Sequence, residues 1–165
     1  MGSLILMMGV PGSGKTTYAK KIAGNNDIYI SRDEIRFDLV KENEPYFSKE
    51  DEVLATFIRT INNALPLAER YVIADATHLN IGSRAKILKN LHNKPDSIYV
   101  IYVAVSLETA LKRNAKREGR ALVPETAIKN MYRSITLPRK EEGIDMLFWV
   151  DENEIVREVI SYKEG

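Results

Sequence analysis

The sequence contains no cysteine, which excludes disulfides, thiolate metal sites and a cysteine nucleophile. Its two histidines, His78 and His92, lie too far apart for a local zinc motif. Charge of neither sign prevails, since 24 Lys and Arg face 23 Asp and Glu for a formal charge of +1. That balance argues against a protein that coats nucleic acid electrostatically, and leaves room for a local basic patch. Long apolar runs are missing too. None approaches the ~20 residues of a membrane span, and the run at residues 4–8 is too short for a signal peptide and lacks a basic start. Nine glycines and six prolines in 165 residues leave no linker or low-complexity tract. With 44% hydrophobic and 28% charged residues, one domain spanning residues 1–165 is expected, burying roughly 70% of its unfolded surface. A cytoplasmic enzyme or switch, without a membrane partner, is the class that remains.

The apolar segments fall into an alternating order. Residues 4–8 form a continuous apolar run before a glycine-rich turn, the pattern of a strand buried on both faces. Residues 15–23 read as a helix stopped by Gly24, residues 28–30 as a second strand, and Asp33 onward as a helix fading before Pro45. Ser48 with Asp51 resembles a capping box for a helix carrying Val53, Phe57 and Ile61. Residues 71–74 form a third strand ending on Asp75, and residues 98–105 a central fourth. Ser106 caps one further helix and Pro124 opens another. Residues 144–150 form a fifth strand, and Asp151 with Glu154 is expected to cap a last helix over Ile155, Val156, Val159 and Ile160. Strands alternating with helices imply right-handed crossovers and a mostly parallel sheet covered on both faces.

The turn after the first strand reads Gly9-Val10-Pro11-Gly12-Ser13-Gly14-Lys15-Thr16, which satisfies G-x-x-x-x-G-K-[ST]. Between a strand and a helix, such a loop turns consecutive backbone N–H groups inward as an anion nest, which side chains at Gly12 and Gly14 would obstruct. Lys15 would reach the β- and γ-phosphates of a nucleoside triphosphate and Thr16 would take a Mg²⁺ position. The loop from Gly9 through Pro11 and Ser13 to Thr17 is therefore the candidate ATP site. The expected fold is the α/β P-loop NTPase, a three-layer αβα sandwich around a mostly parallel five-stranded sheet.

Ligands of open α/β sheets bind beyond the carboxyl ends of the strands. There the chain places Ser31-Arg32-Asp33-Glu34-Ile35-Arg36, then Asp75-Ala76-Thr77-His78, and, after the fourth strand, Arg113, Lys116, Arg117 and Arg120. Phosphoryl transfer to a hydroxyl needs a base for the acceptor and cations for the migrating charge. Asp33 is the candidate base, with helix capping as its competing role. Arg36, one turn on, suits a phosphate on the acceptor, and Arg32 and Thr77 join it as acceptor-binding candidates. Asp75, after an apolar strand, suits Mg²⁺ held through water, with a plain turn residue as its alternative. Arg113 and Arg117, at i and i+4, are expected on one helix face, opening a lid over residues 113–123. Residues 107–140 hold nine basic and three acidic side chains, which fits either a solvated helix face or a lid over ATP. Asn93-Lys94-Pro95-Asp96 spells a guanine-reading N-K-x-D, but it precedes the fourth strand and reads as a turn. His78 lies near the site without a partner for catalysis, and Met131 and Tyr132 fit core packing.

The set GVPGSGKTT (residues 9–17), SRDEIR (31–36), DATHLNIGSR (75–84) and KRNAKREGRALVPETAIKNMY (112–132) resembles the kinase domain of phage-type polynucleotide 5′-hydroxyl kinases, in order and spacing over most of residues 3–137. The resemblance implies transfer of the ATP γ-phosphate to the 5′-OH of DNA or RNA. It implies Asp33 as general base, Arg36 on the acceptor's 3′-phosphate, and Arg113 and Arg117 on the donor phosphates. Some relatives carry the acid after strand three one position later, where this chain has Ala76. The phage enzymes often append a phosphatase with D-x-D-x-T, absent here, so a phosphatase or ligase partner would be a separate chain. A small-molecule kinase acting on a sugar, antibiotic or nucleoside hydroxyl would use the same parts, and near-neutral charge suits it. A non-catalytic nucleotide switch would have no use for the carboxylate of Asp33.

Overall fold

A computed structural model describes residues 1–163. Six strands form one sheet in the order β2-β3-β1-β4-β5-β6. They are β1 (Ser3–Met8), β2 (Ile28–Ser31), β3 (Tyr71–Asp75), β4 (Ile98–Val103), β5 (Met146–Val150) and β6 (Val156–Ser161). The first five run parallel, as the crossovers require. Between them lie α1 (Lys15–Ile22), α2 (Arg32–Leu39), α3 (Glu50–Ala64), α4 (Ile81–Leu88), α5 (Leu107–Ala115) and α6 (Glu125–Arg133).

The central strand β1 is apolar because both its faces are covered. Leu4, Leu6 and Met8 pack with Phe57 and Ile61 of α3 on one side, while Ile5 and Met7 pack with Ala19 of α1 on the other. In α3 the buried positions Val53, Phe57, Ile61 and Ala64 repeat at helical spacing. Burying such side chains contributes roughly 1.5–3 kcal/mol each.

Three expectations are corrected. The sheet has six strands rather than five, because the segment expected as a closing helix is β6, antiparallel to β5. Asp151 does not cap a helix. Its Oδ1 accepts from the Asn153 and Ile155 amides, and Glu154 adopts φ 62, so the chain turns back as a hairpin. The β-branched Val156, Val159 and Ile160 then suit the extended chain. At α3 the Ser48/Asp51 box does not form, and Lys49 occupies the cap position without a side-chain hydrogen bond. At α1 the chain leaves the helix at Ala23, which is extended at φ −64, ψ 122, so Gly24 is not the stop. The N-K-x-D segment lies in the turn leading into β4, with Asp96 N donating to Gly2 O, at the sheet end opposite the phosphate loop.

Candidate active site

The loop between β1 and α1 is shaped by its glycines. Gly12 and Gly14 have φ 86 and 90, a left-handed region that side chains disfavour. A Cβ on Gly12 would lie 2.5 Å from the Ala110 carbonyl oxygen. Gly14 also stands at the helix cap, where no side chain accepts a hydrogen bond and no acidic residue occupies the first turn of α1. The first amides of α1, with the positive end of its dipole, are thereby left open to an anion. Lys15 is buried beside them.

Asp75 ends β3 in register with Ser31 of β2. The Thr16 hydroxyl donates to its Oδ2 at 2.7 Å and the Tyr29 hydroxyl at 2.5 Å. Its Oδ1 is buried with no hydrogen-bond partner among the described residues. Burial first, and then the hydrogen bond to Asp75, pushes the Tyr29 phenol up. An orphaned carboxylate oxygen beside a threonine hydroxyl fits Mg²⁺, which takes oxygen ligands and keeps several waters. No cluster of three or more His, Cys, Asp or Glu exists among the described residues, so such an ion would rest on Thr16, Asp75, phosphate and water.

The start of α2 answers the ambiguity at Asp33. Ser31 is the N-cap, its hydroxyl accepting from Glu34 N at 3.2 Å. Asp33 is therefore not needed as a cap, and its side chain, 54% exposed, lines a cavity of about 150 Å³ together with Lys15, Asp75, Thr77, Arg36 and Arg117. Arg36 is 6% exposed and fully engaged. It donates to Asp33 Oδ1 at 2.5 Å, and its Nε and Nη2 grip both oxygens of Glu50 at 2.6 and 3.0 Å. Burial pulls its pKa down, but the hydrogen bond and charge of Glu50 outweigh that and carry it up. Arg32 also donates to Glu50, at 3.1 Å, while burial lowers its pKa.

Glu50 escaped the sequence reading. It lies in the segment read as a cap, and nothing local signals that it will reach back to α2, 14 residues earlier.

The basic segment divides. Arg113 does not line that cavity: it donates to Ser13 O at 2.9 Å and to Glu152 O at 3.3 Å, bracing the phosphate loop. Arg117 lines the cavity, but α5 ends at Ala115 and Lys116 is its C-cap. The two arginines therefore share no helix face, contrary to the i,i+4 expectation. Arg120, on the 3₁₀ turn Gly119–Ala121, donates to Phe37 O and Val40 O at the end of α2 and stacks over Phe37 at 4.8 Å. Thr77 lines the cavity, and its carbonyl accepts from Gly9 N at 3.0 Å. Thr17 is exposed, and Pro11 lines the cavity, as does Met131, which also packs in the core.

His78 is structural in its contacts. Its Nδ1 donates to Met7 O at 2.7 Å, its ring stacks on Phe57 at 5.9 Å, and burial pushes its pKa down to about 4. The buried Arg84 ties this turn in place, donating to His78 O, to Thr136 O and to both oxygens of Glu142.

A parallel sheet with a phosphate loop after its central strand, and a carboxylate and arginines around one cleft, defines a nucleotide-binding P-loop domain of the kinase type. The chain belongs to the AAA domain family, whose family model matches residues 4–138. It is 33% identical over 144 residues to a protein of Autographa californica nuclear polyhedrosis virus assigned as a bifunctional polynucleotide kinase/RNA ligase. That match covers 79% of this chain and 20% of the viral protein, so the chain spans about one fifth of that relative's length. Its fold is shared with a sugar kinase from Janibacter sp. HTCC2649 at TM-score 0.66 and 18% identity, covering 94% of this chain and 88% of that one. It is shared equally with a chain of the Pnkp1/Rnl/Hen1 RNA repair complex at TM-score 0.66 and 18% identity, covering 99% of this chain and 50% of that one. No helix among the described residues is long and apolar enough to cross a membrane.

Proposed function

We propose that this chain is an ATP-dependent kinase that transfers the γ-phosphoryl group to the 5′-hydroxyl of a polynucleotide. The observation that carries the reading is the single cavity in which Asp33 and Arg36 of the acceptor side face Lys15, Asp75 and Arg117 of the donor side. In this reading the Asp33 carboxylate accepts the proton of the attacking hydroxyl as the new P–O bond forms and the bond to the leaving ADP breaks. Lys15 and Arg117 stabilise charge on the transferring group and on the leaving phosphate, where such cations contribute most. The amides between Gly9 and Thr17 hold the triphosphate, and Arg113 holds the loop that presents them. Thr16 and Asp75 would hold a Mg²⁺ ion, whose charge would help neutralise the triphosphate.

Arg36, with Arg32 beside it, grips the acceptor's phosphate in this scheme. To do so Arg36 redirects part of its fork from Glu50. The viral relative's assignment supports a nucleic-acid acceptor, and a ligase or phosphatase would act on the same ends. The sugar-kinase fold neighbour favours the second reading, a small hydroxyl compound at the same carboxylate. Labelled ATP, supplied with 5′-OH DNA and RNA oligonucleotides and in parallel with a panel of sugars and nucleosides, separates the two. Transfer to oligonucleotides is expected; no transfer to any oligonucleotide removes the polynucleotide reading.

A further inference from the structure

Phe47 differs from the other apolar side chains that reach solvent. It is the only aromatic ring among the exposed large hydrophobics of the described residues, at 44% exposure, and it lines the cavity that holds Asp33. Singly exposed apolar side chains are ordinary. This one is the outer member of a cluster with Tyr46 and Arg36. Tyr46 meets Phe47 edge-on with centroids 4.6 Å apart, and the Arg36 guanidinium carbon lies 5.0 Å from the Tyr46 centroid and 5.4 Å from that of Phe47. The Tyr46 hydroxyl in turn donates to Asp33 Oδ1 at 3.4 Å. The exposed ring is thus tied through its neighbours to the carboxylate, and Val123 and Met131 line the cavity from the α5–α6 side.

Resting on the polynucleotide reading, we infer that Phe47 is the platform on which the acceptor's terminal nucleobase stacks, and so a residue that selects acceptors bearing a base. A planar base extends the existing cluster of guanidinium and rings, and covers an apolar surface that is otherwise wet. Because Tyr46 and Arg36 already hold the ring, little of its freedom remains to be lost on binding. A 5′-hydroxyl is joined to its base through one furanose, so a base on Phe47 leaves the hydroxyl on the Asp33 side of the cleft. Every base has a π-face, so the platform accepts all four.

The test compares wild type, Phe47→Ala and Phe47→Trp on a 5′-OH oligonucleotide and on the same oligonucleotide with an abasic first position. Phe47→Ala is expected to raise the acceptor KM about tenfold or more, with the KM for ATP within about twofold of wild type; Phe47→Trp restores the acceptor KM. On the abasic substrate wild type and Phe47→Ala converge. An unchanged acceptor KM in Phe47→Ala, or a penalty equally large on the abasic substrate, overturns the platform while leaving the polynucleotide reading intact. Failure of wild type to phosphorylate any oligonucleotide overturns both.

Discussion

Glu50→Gln removes the charge that holds Arg36 and Arg32 while keeping side-chain size. In the native fold Arg36 is 7% exposed at its side chain and Glu50 30%, so the pair is partly desolvated. Breaking a fully buried pair costs about 3–5 kcal/mol because a buried charge is left behind. Here Asp33 remains on Arg36 and water reaches Glu50, so the expected loss is smaller, about 2–3 kcal/mol, or roughly 4–12 °C in Tm for a chain of this length. The pH dependence fixes the cause. Burial pushes the Glu50 carboxyl up, but the Arg36 hydrogen bond and the charges of Arg36 and Arg32 outweigh it, so its folded pKa lies below the usual 4.5. A lowered carboxyl pKa contributes stability that is fully present above about 4.5 and is lost as pH falls through the folded value. Urea unfolding of both proteins at several pH values is the assay. The gap between them should be full at pH 7 and narrow below pH 4.5. Equal stability at neutral pH, or a gap that persists undiminished in acid, refutes the reasoning.

Asp33→Asn should keep ATP affinity, measured by titration calorimetry, while transfer falls ~10²-fold or more; unchanged transfer would leave Asp33 without a role as base. Lys15→Ala should abolish both nucleotide binding and transfer, and full ATP affinity in that variant contradicts the phosphate-loop reading. His78 supplies a second pH window: its folded pKa near 4 lies below the unfolded value of 6.5, so wild type loses stability between pH 6.5 and 4, on the order of 3 kcal/mol from this group. Urea melts of His78→Asn should lack that slope, and parallel slopes would contradict the assignment.

The parallel core and the phosphate loop were legible because both are written locally, in continuous apolar runs and in glycines with one conformational use. The β5–β6 hairpin was not. Asp151, Glu154 and the following Ile155, Val156, Val159 and Ile160 satisfy a helical cap and spacing equally well, and the choice is made by pairing with β5, a partner the local pattern does not name. The same holds at the site. Asp33 was found from its place after a strand, and its freedom from capping depends on Ser31, its near neighbour in sequence. The hold of Arg113 on the phosphate loop depends on the Ser13 carbonyl, 100 residues away. Glu50 likewise carries no local mark, since its role exists only when α3 folds back against α2.

Arg120 connects the halves of the site. The basic segment carries Arg117 into the cavity, and three residues later Arg120 grips the Phe37 and Val40 carbonyls where α2 ends. Those carbonyls are helix-terminal groups, where a guanidinium satisfies orphan acceptors and meets the negative dipole end. Since α2 also carries Asp33 and Arg36, residues 116–123 are fastened to the helix that, in the proposed scheme, would present the acceptor's base. Arg120→Ala should therefore loosen residues 116–123 towards limited proteolysis and raise the KM for acceptor more than that for ATP. Arg120→Lys, which keeps the charge but not the fork, should recover only part of the loss. An acceptor KM unchanged in Arg120→Ala would mean that the two sides of the cleft move independently.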